Sequence, residues 1–482
     1  MNDNMTEKIV TRFAPSPTGF MHVGGVRTAL YAWLFAKKNN GTMILRIEDT
    51  DKEREVEGSI EHIIKSLKWL GITWDEGPDI GGPNAPYLQS QRLDSYKKYA
   101  KILVEKGLAY ADPYSEEELE IFRKKAEEEK RPFLFRDHRP LNPPAWDGTQ
   151  PLRLKIVNAE KTKWHDLVRG DLEAGPEALD DFILVKSDGY PTYNFAHIID
   201  DLLMGVTHIF RADEFISSTP KFIALYNALE IKRPEFVTLP PIMGPDGKKK
   251  LGKRDGAKDI LDYQKEGYLP EAVINFLSLI GWNPGGEKEI FSVDEIIELF
   301  EIEKIHTGGA KFNEDKLLWT NKEYIKNKSD IDFIKEIKER NPRKDLTLDG
   351  IEKIVPIVRE RIAIWSDISL MWQNGELQFF FEKPIYEKAL LLPKGTNDNS
   401  VTAKHLLKVK EILENNVDWS AESIKNDLWD YASEVGRGNV LWPLRTCLTG
   451  RDKSPDPFTV AEVLGKTETL SRVGEAINQL NI

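Results

Sequence analysis

One cysteine, Cys447, stands among 482 residues. A lone thiol excludes an intramolecular disulfide and any zinc site built from several cysteines, and it fits a chain kept in a reducing, cytoplasmic compartment. Long apolar runs are lacking too: none approaches the ~20 residues a membrane span needs. The start, MNDNMTEK, has no hydrophobic stretch of the secretory kind and reads as a short exposed lead-in. Basic residues are in deficit, 67 Lys and Arg against 79 Asp and Glu, a net charge of −12. That argues mildly against a polyanionic partner without excluding one, because nucleic-acid binding follows where basic groups cluster. No internal repeat is visible beyond about residue 325. What remains is the composition of an acidic, soluble, multidomain enzyme, with room for three to five domains at ~100–150 residues each.

Against these absences, residues 12–38 are rich in signal. A β-type run, Ile9-Val10-Thr11-Arg12-Phe13, stops at Pro15 and Pro17, which cannot donate to a sheet ladder. A turn with Gly19, His22, Gly24 and Gly25 follows, and then Val26, Ala29, Leu30, Trp33 and Leu34 recur at helical spacing. Strand, glycine turn and helix together aim backbone N–H groups at a phosphate. The turn is neither GxGxxG nor a P-loop; it offers Thr18 and His22 as side-chain donors beside the backbone. A second strand, Met43–Ile47, ends in Glu48-Asp49-Thr50-Asp51, and Ile60, Ile63, Ile64 and Leu67 mark a helix that stops at Gly71. Two βα units in succession predict a parallel, right-handed sheet.

The Gly- and Pro-rich stretch 75–87 reads as an exit from the first half of this domain. Residues 88–190 read as an inserted α/β domain, with 116–131 a solvated helix. The nucleotide fold resumes with Tyr193, His197 and Asp200-Asp201 on or near a helix. The strand Val206–Phe210 then leads to Arg211, Thr219-Pro220 reads as cap and first residue of the next helix, and the strand Phe236–Leu239 enters the loop GPDGKKKLGKRDGAKD at 244–259. Downstream the chain turns helical: a helix from Pro270 to Gly281, a capping box Ser292…Glu295, helices at 349–364 and 421–435, and a final pair opened by a capping box Thr459…Glu462.

RFAPSPTG followed by HVGG, RIEDTD at 46–51 and LGKRDG at 251–256 occur in one order along the chain. In these motifs the sequence resembles the class I aminoacyl-tRNA synthetases of the bacterial glutamyl-tRNA synthetase type, with HVGG in place of the HIGH motif and KLGKR in place of KMSKS. The resemblance implies an α/β N-terminal half followed by an all-α C-terminal half. By it, residues 1–87 and 191–243 form a split Rossmann-like catalytic domain, and 88–190 the inserted domain that holds the tRNA acceptor end. Residues 244–325 carry the lysine loop and a stem-contact domain, and 326–482 form a helical anticodon-binding region of two subdomains divided near 385.

The implied activity is ligation of glutamate to tRNA-Glu, with ATP as substrate, Mg²⁺ beside it, and no zinc. The resemblance gives His22, Lys250 and Lys253 the catalytic work, and Thr18, His22, Gly24, Gly25, Glu214, Leu251 and Lys253 the contacts to ATP. Arg12, Ala14, Ser16, Glu48, Tyr193, His197 and Arg211 would form the glutamate site. Arginine suits the two carboxylates because its planar fork bonds them bidentately, and Glu48 would take the ammonium. Arg361 would contact the anticodon, with Lys322, Lys326, Arg359, Arg437, Arg445 and Arg451 as further cations and Trp442 and Phe458 as stacking groups. Two departures stand out: Gly252 replaces the motif serine, and His197 falls where the family often has Asn. Alternatives are a form that also charges tRNA-Gln, a glutaminyl-tRNA synthetase, a truncated paralogue that glutamylates a tRNA base, and a tRNA-binding protein that has lost activation. The family also implies a monomer.

Overall fold

The computed structural model describes residues 8–252, 258–343, 346–395 and 398–481. The chain divides into two compact units, one up to Thr320 and one from Asn321.

The first unit begins with β1 (Val10–Phe13), α1 (Val23–Lys38), β2 (Thr42–Leu45) and α2 (Ser59–Trp69). β1 and β2 pair in parallel with Arg12 opposite Ile44, as two βα units require. The expected apolar face of α1 is buried, but so are Arg27 and Tyr31 beyond it. Their polar ends survive burial because carbonyls meet them: Arg27 donates to Ile280 and Pro240, and Tyr31 to Ser278 and Ile280.

The inserted segment contributes α3 (Leu93–Glu105), β3 (Ala109–Ala111), α4 (Glu116–Glu128), β4 (Leu152–Leu154), β5 (Thr162–Asp166), β6 (Gly170–Ala174) and β7 (Ile183–Val185). Strands β3-β4-β7 form an antiparallel sheet and β5-β6 a hairpin. This segment does not bury a separate core. One continuous cluster runs from Tyr96, Leu103, Leu152, Trp164 and Leu184 of the insertion to Ile44, Phe195, Ile209 and Phe236 of the nucleotide fold.

After the insertion come α5 (Tyr193–Leu203), β8 (His208–Ala212), α6 (Thr219–Leu229) and β9 (Glu235–Leu239). The four-stranded sheet has the order β2-β1-β8-β9, all parallel. The chain leaves β1 toward β2 on one side and later returns to β8 on the other, so a switch point opens between the carboxyl ends of β1 and β8. Thr219 is not the cap of α6. That position belongs to Ser218, which makes no side-chain capping bond, and the Thr219 hydroxyl donates instead to the Phe215 carbonyl at 2.9 Å.

Next, β10 (Ile242–Met243) precedes α7 (Ile260–Glu266), α8 (Pro270–Ser278), α9 (Val293–Leu299), β11 (Ala310–Lys311) and α10 (Glu314–Lys326), within which the division between units falls. The Ser292–Glu295 capping box closes with both of its bonds.

The second unit contains α11 (Asp330–Arg340), α12 (Leu348–Arg361), α13 (Asp367–Gln373), α14 (Asn399–Asn415), α15 (Ala421–Val435), α16 (Arg437–Thr449), α17 (Pro457–Leu464) and α18 (Lys466–Asn481), with no strand among the described residues. Helix α12 ends earlier than the periodicity suggests because Asp367 takes the N–H groups of Ala363 and Ile364 into the next turn. The expected Thr459…Glu462 capping box does not form. Asp456 caps α17 by accepting from Phe458 and Thr459, with Pro457 in the first turn, so Thr459 lies inside the helix. Phe458 is buried in the core of this unit and presents no stacking surface. Among the described residues no helix is long and apolar enough to cross a membrane.

Candidate active site

Beyond β1 the chain stays alongside the segment that follows β2. Pro15 and Pro17 cannot donate, but their carbonyls still accept, from Glu48 at 3.0 Å and from Val56 at 2.9 Å. This places half-buried Ala14 and exposed Ser16 and Thr18 beside Glu48, at the carboxyl end of the sheet.

His22 caps α1. Its backbone is extended (φ −121°, ψ 172°), and Nδ1 accepts from the Gly24 N–H at 3.1 Å. An accepting Nδ1 leaves the ring proton on Nε2, so the capping bond sets the tautomer. Gly24 must lack a side chain for this to hold: a Cβ there would stand 2.9 Å from the His22 ring carbon Cε1. At Gly25 a Cβ would meet only the Met21 methyl, at 3.8 Å.

Under this turn lies a buried network of charge. Arg46, fully buried, donates from Nη1 to Asp201 at 2.7 Å and from Nη2 to Glu48 at 3.0 Å, while its Nε stands 3.7 Å from Asp200 without a hydrogen bond. Arg12 donates from Nε to Asp201 at 3.1 Å and from Nη1 to the Phe210 carbonyl at 3.3 Å. Asp200 is held by Arg92, Gln89 and Tyr96. Burial pushes the Asp201 carboxyl up, but Arg12 and Arg46 outweigh it and hold Asp201 below the usual carboxylate range. At Glu48 burial wins over Arg46 and Arg12, and its pKa is raised to about 7.

Across the switch point sits an aromatic wall. Tyr193 stacks on His197 with ring centres 4.6 Å apart, and Phe215 and Phe222 close around them. His197 Nδ1 donates to the Tyr193 carbonyl at 2.7 Å, and burial lowers its pKa to about 3, so the ring is neutral with Nε2 as acceptor. Arg211 lies 4.3 Å over the Phe236 ring. It donates from Nη2 to the Thr219 hydroxyl at 2.8 Å and from Nε to the Thr238 hydroxyl at 3.5 Å. Among the described residues it has no carboxylate within ion-pair distance, and burial lowers its pKa to about 10. A buried guanidinium held by two neutral hydroxyls suits an arriving anion.

The lysine loop begins as a hairpin. Gly244 N–H donates to the Lys249 carbonyl, and the N–H of buried Leu251 donates to Ile242, both at 2.8 Å. Lys250, half exposed, meets Glu214 at 2.5 Å and Asp213 at 3.8 Å. Lys253 lies outside the described residues. Asp259 bridges to His22 and accepts from the His62 ring at 2.8 Å. Arg361, in the second unit, is paired with Glu376. Among the described residues no group of three or more His, Cys, Asp or Glu side chains could hold a metal ion.

Sequence reasoning passed over Arg46, Arg92 and Gln89. Two signals pointed to them: an arginine inside the apolar run MILRI, and the pair Asp200-Asp201 on the apolar face of α5. Charges at buried positions demand partners.

The comparisons with known proteins agree with this architecture. The family described as tRNA synthetases class I (E and Q), catalytic domain, matches residues 8–319, and an anticodon binding domain matches 325–477. Fold and site therefore define a class I tRNA synthetase. A glutamate–tRNA ligase of Clostridium botulinum is 44% identical over 490 residues, covering 99% of both chains. One of Clostridium tetani is 40% identical, covering 100% of this chain and 99% of the other. A crystal structure of a glutamate tRNA ligase from Elizabethkingia meningosepticum, in complex with its amino acid, superposes with a TM-score of 0.86 at 37% identity, covering 98% of this chain and 100% of that one. The chain belongs to the glutamate–tRNA ligases.

Proposed function

We propose that this chain activates L-glutamate with ATP and passes it to the 3′-terminal adenosine of tRNA-Glu. The observation that carries the substrate assignment is the pair of arginines at the switch point. Arg12 and Arg211 stand at the carboxyl ends of neighbouring strands, Arg211 with no carboxylate within ion-pair distance among the described residues. In this reading they take the two carboxylates of glutamate and Tyr193 adds a hydroxyl. Glu48 takes the ammonium, Ala14 and Ser16 line the pocket, and neutral His197 backs Tyr193. A glutamate carboxylate oxygen attacks the α-phosphorus of ATP and pyrophosphate leaves, after which the terminal ribose hydroxyl attacks the adenylate carbonyl. The protein's task is to hold the reactants in line and stabilise phosphate charge. His22 donates from Nε2, Thr18 from its hydroxyl, and the backbone at Gly24 and Gly25 approaches the triphosphate. Glu214 and Leu251 contact the nucleotide, and Lys250 and Lys253 neutralise the leaving pyrophosphate. Mg²⁺ arrives with the phosphates of ATP, as this ion is commonly bound. Residues 88–190 take the acceptor end. The helical region from 326 takes the anticodon, Arg361 among its contacts once drawn from Glu376. The helical second unit favours this reading over a glutaminyl enzyme, and charging of tRNA-Gln is the narrower alternative within it. We read the working state as a cytoplasmic monomer.

The decisive experiment is exchange of pyrophosphate into ATP with glutamate, run with and without tRNA. Exchange is expected with glutamate when tRNA is present; no exchange with either glutamate or glutamine would overturn the ligase reading.

Two further outcomes follow. Glu48 must be ionised to hold an ammonium, and burial favours its neutral form. With a pKa of about 7, kcat/KM for glutamate should rise through neutral pH and fall about tenfold per unit well below it. The Glu48→Gln variant should lose that limb; a flat profile in the unaltered enzyme would remove Glu48 from ammonium binding. Gly24→Ala should displace the His22 ring, break its capping bond and raise KM for ATP about tenfold, the worth of one lost hydrogen bond. Gly25→Ala meets no protein atom closer than 3.8 Å. Its melting temperature should stay unchanged, so any loss of activity there would report the ligand.

A further inference from the structure

Arg211 is held by hydroxyls whose own protons are committed elsewhere. The Thr219 hydroxyl donates to the Phe215 carbonyl and accepts from Arg211. Thr238 does the same with a different partner: its hydroxyl donates to Asp166 Oδ2 at 2.5 Å, which turns a lone pair toward Arg211 Nε at 3.5 Å. Asp166 is fully buried, and its other oxygen accepts three backbone N–H groups. Two come from its own hairpin, Val168 and Arg169 at 3.0 Å, and the third from Thr238 at 3.2 Å. Its two bonds from Thr238 tie the β5-β6 hairpin of the insertion to β9 of the nucleotide sheet. The Leu167 N–H adds a third tie, to the Phe236 carbonyl at 2.9 Å.

We propose that Asp166 is a positioning residue for the glutamate site, acting through the Thr238 hydroxyl to fix the plane and direction of the Arg211 guanidinium. The insertion thereby reaches the amino-acid pocket without touching substrate. The proposal rests on Arg211 binding a carboxylate of glutamate. Two features argue for more than a structural pin. Asp166 lies near enough to Arg211 to favour its charged form against burial while making no direct contact with it, which leaves the guanidinium available. And the polarity of the chain of bonds is set at Asp166: an acceptor there makes Thr238 an acceptor toward Arg211.

Asp166→Asn tests this directly. An amide whose oxygen keeps the three backbone bonds presents its NH₂ to Thr238, takes away the acceptor that holds the hydroxyl proton, and so frees that hydroxyl to rotate off the Arg211 N–H. KM for glutamate should rise about tenfold or more, as when a buried donor loses its acceptor. KM for ATP and the melting temperature should move little. Thr238→Val should reproduce the effect, and Thr238→Ser, which keeps the hydroxyl, should restore near-normal KM. Arg211→Ala serves as reference. If it raises KM for glutamate while Asp166→Asn and Thr238→Val stay within about twofold of the unaltered enzyme, the relay is overturned and Asp166 is structural only. A lowered melting temperature with unchanged KM overturns it in the same way. If Arg211→Ala leaves KM unchanged, the assignment of Arg211 fails first, and the relay falls with it.

Discussion

Lys250→Ala should slow glutamate-dependent pyrophosphate exchange by about 10²–10³-fold, the usual loss when one preorganised group facing transition-state charge is removed. In the structure Lys250 is paired with Glu214 at 2.5 Å, but both side chains are at least half exposed. Such a pair is worth at most about 1 kcal/mol, so a triphosphate with several negative oxygens can readily draw the ammonium away. The same exposure means that the alanine variant should melt within a few degrees of the unaltered protein. Activity and stability therefore separate cleanly. The control is Glu214→Gln, which removes the shorter of the two ion pairs of Lys250 and should cost far less than removing the lysine. Near-normal exchange in Lys250→Ala would take the residue out of the mechanism and leave Lys253 as the loop's working cation.

Arg46→Met should destabilise the first unit by about 3–5 kcal/mol, the cost of stripping one partner from a buried ionic cluster. Arg46 is fully buried and serves Glu48 and Asp201 through separate nitrogens, with Asp200 nearby. Methionine fills much of the volume but leaves Glu48 without a cationic hydrogen-bond donor, and leaves Asp201 to Arg12 alone. Set against a total stability of about 5–15 kcal/mol, this is a large share. Lysine should rescue little, because one ammonium cannot reach both carboxylates with the planar geometry of the guanidinium. The measurement is urea unfolding followed by a probe in the first unit, since two units need not unfold together. Arg92→Met, whose one ionic partner among the described residues is Asp200, should cost less. Equal midpoints for the unaltered and Arg46→Met proteins would show that the cluster is dispensable for folding.

Much of this molecule is written in local pattern. Strand, glycine turn and helix at 9–38, the Ser292–Glu295 box and the bounds of α15 all depend on residues a few positions apart, so periodicity and cap chemistry determine them; the parallel pairing of β1 and β2 follows from two βα units in succession. The motif residues His22, Glu48, Arg211 and Lys250 could be singled out by residue type and order. Their partners could not. Asp201 meets Arg12 across 189 positions, Asp166 meets Thr238 across 72, and Lys250 meets Glu214 across 36. None of these pairings has a spacing rule. Local chemistry also misled where a second nearby group competed for it: Thr219 has the look of a helix cap, but its hydroxyl serves Arg211, and Thr459 yields its capping role to the Asp456-Pro457 pair. By itself the sequence determined most of the elements and the kind of site, and it offered residues of the types such a site needs. The tertiary structure alone decided which charges are compensated and which stay available, because burial and long-range contact set the cost of a charge, and neither is a property of neighbouring residues.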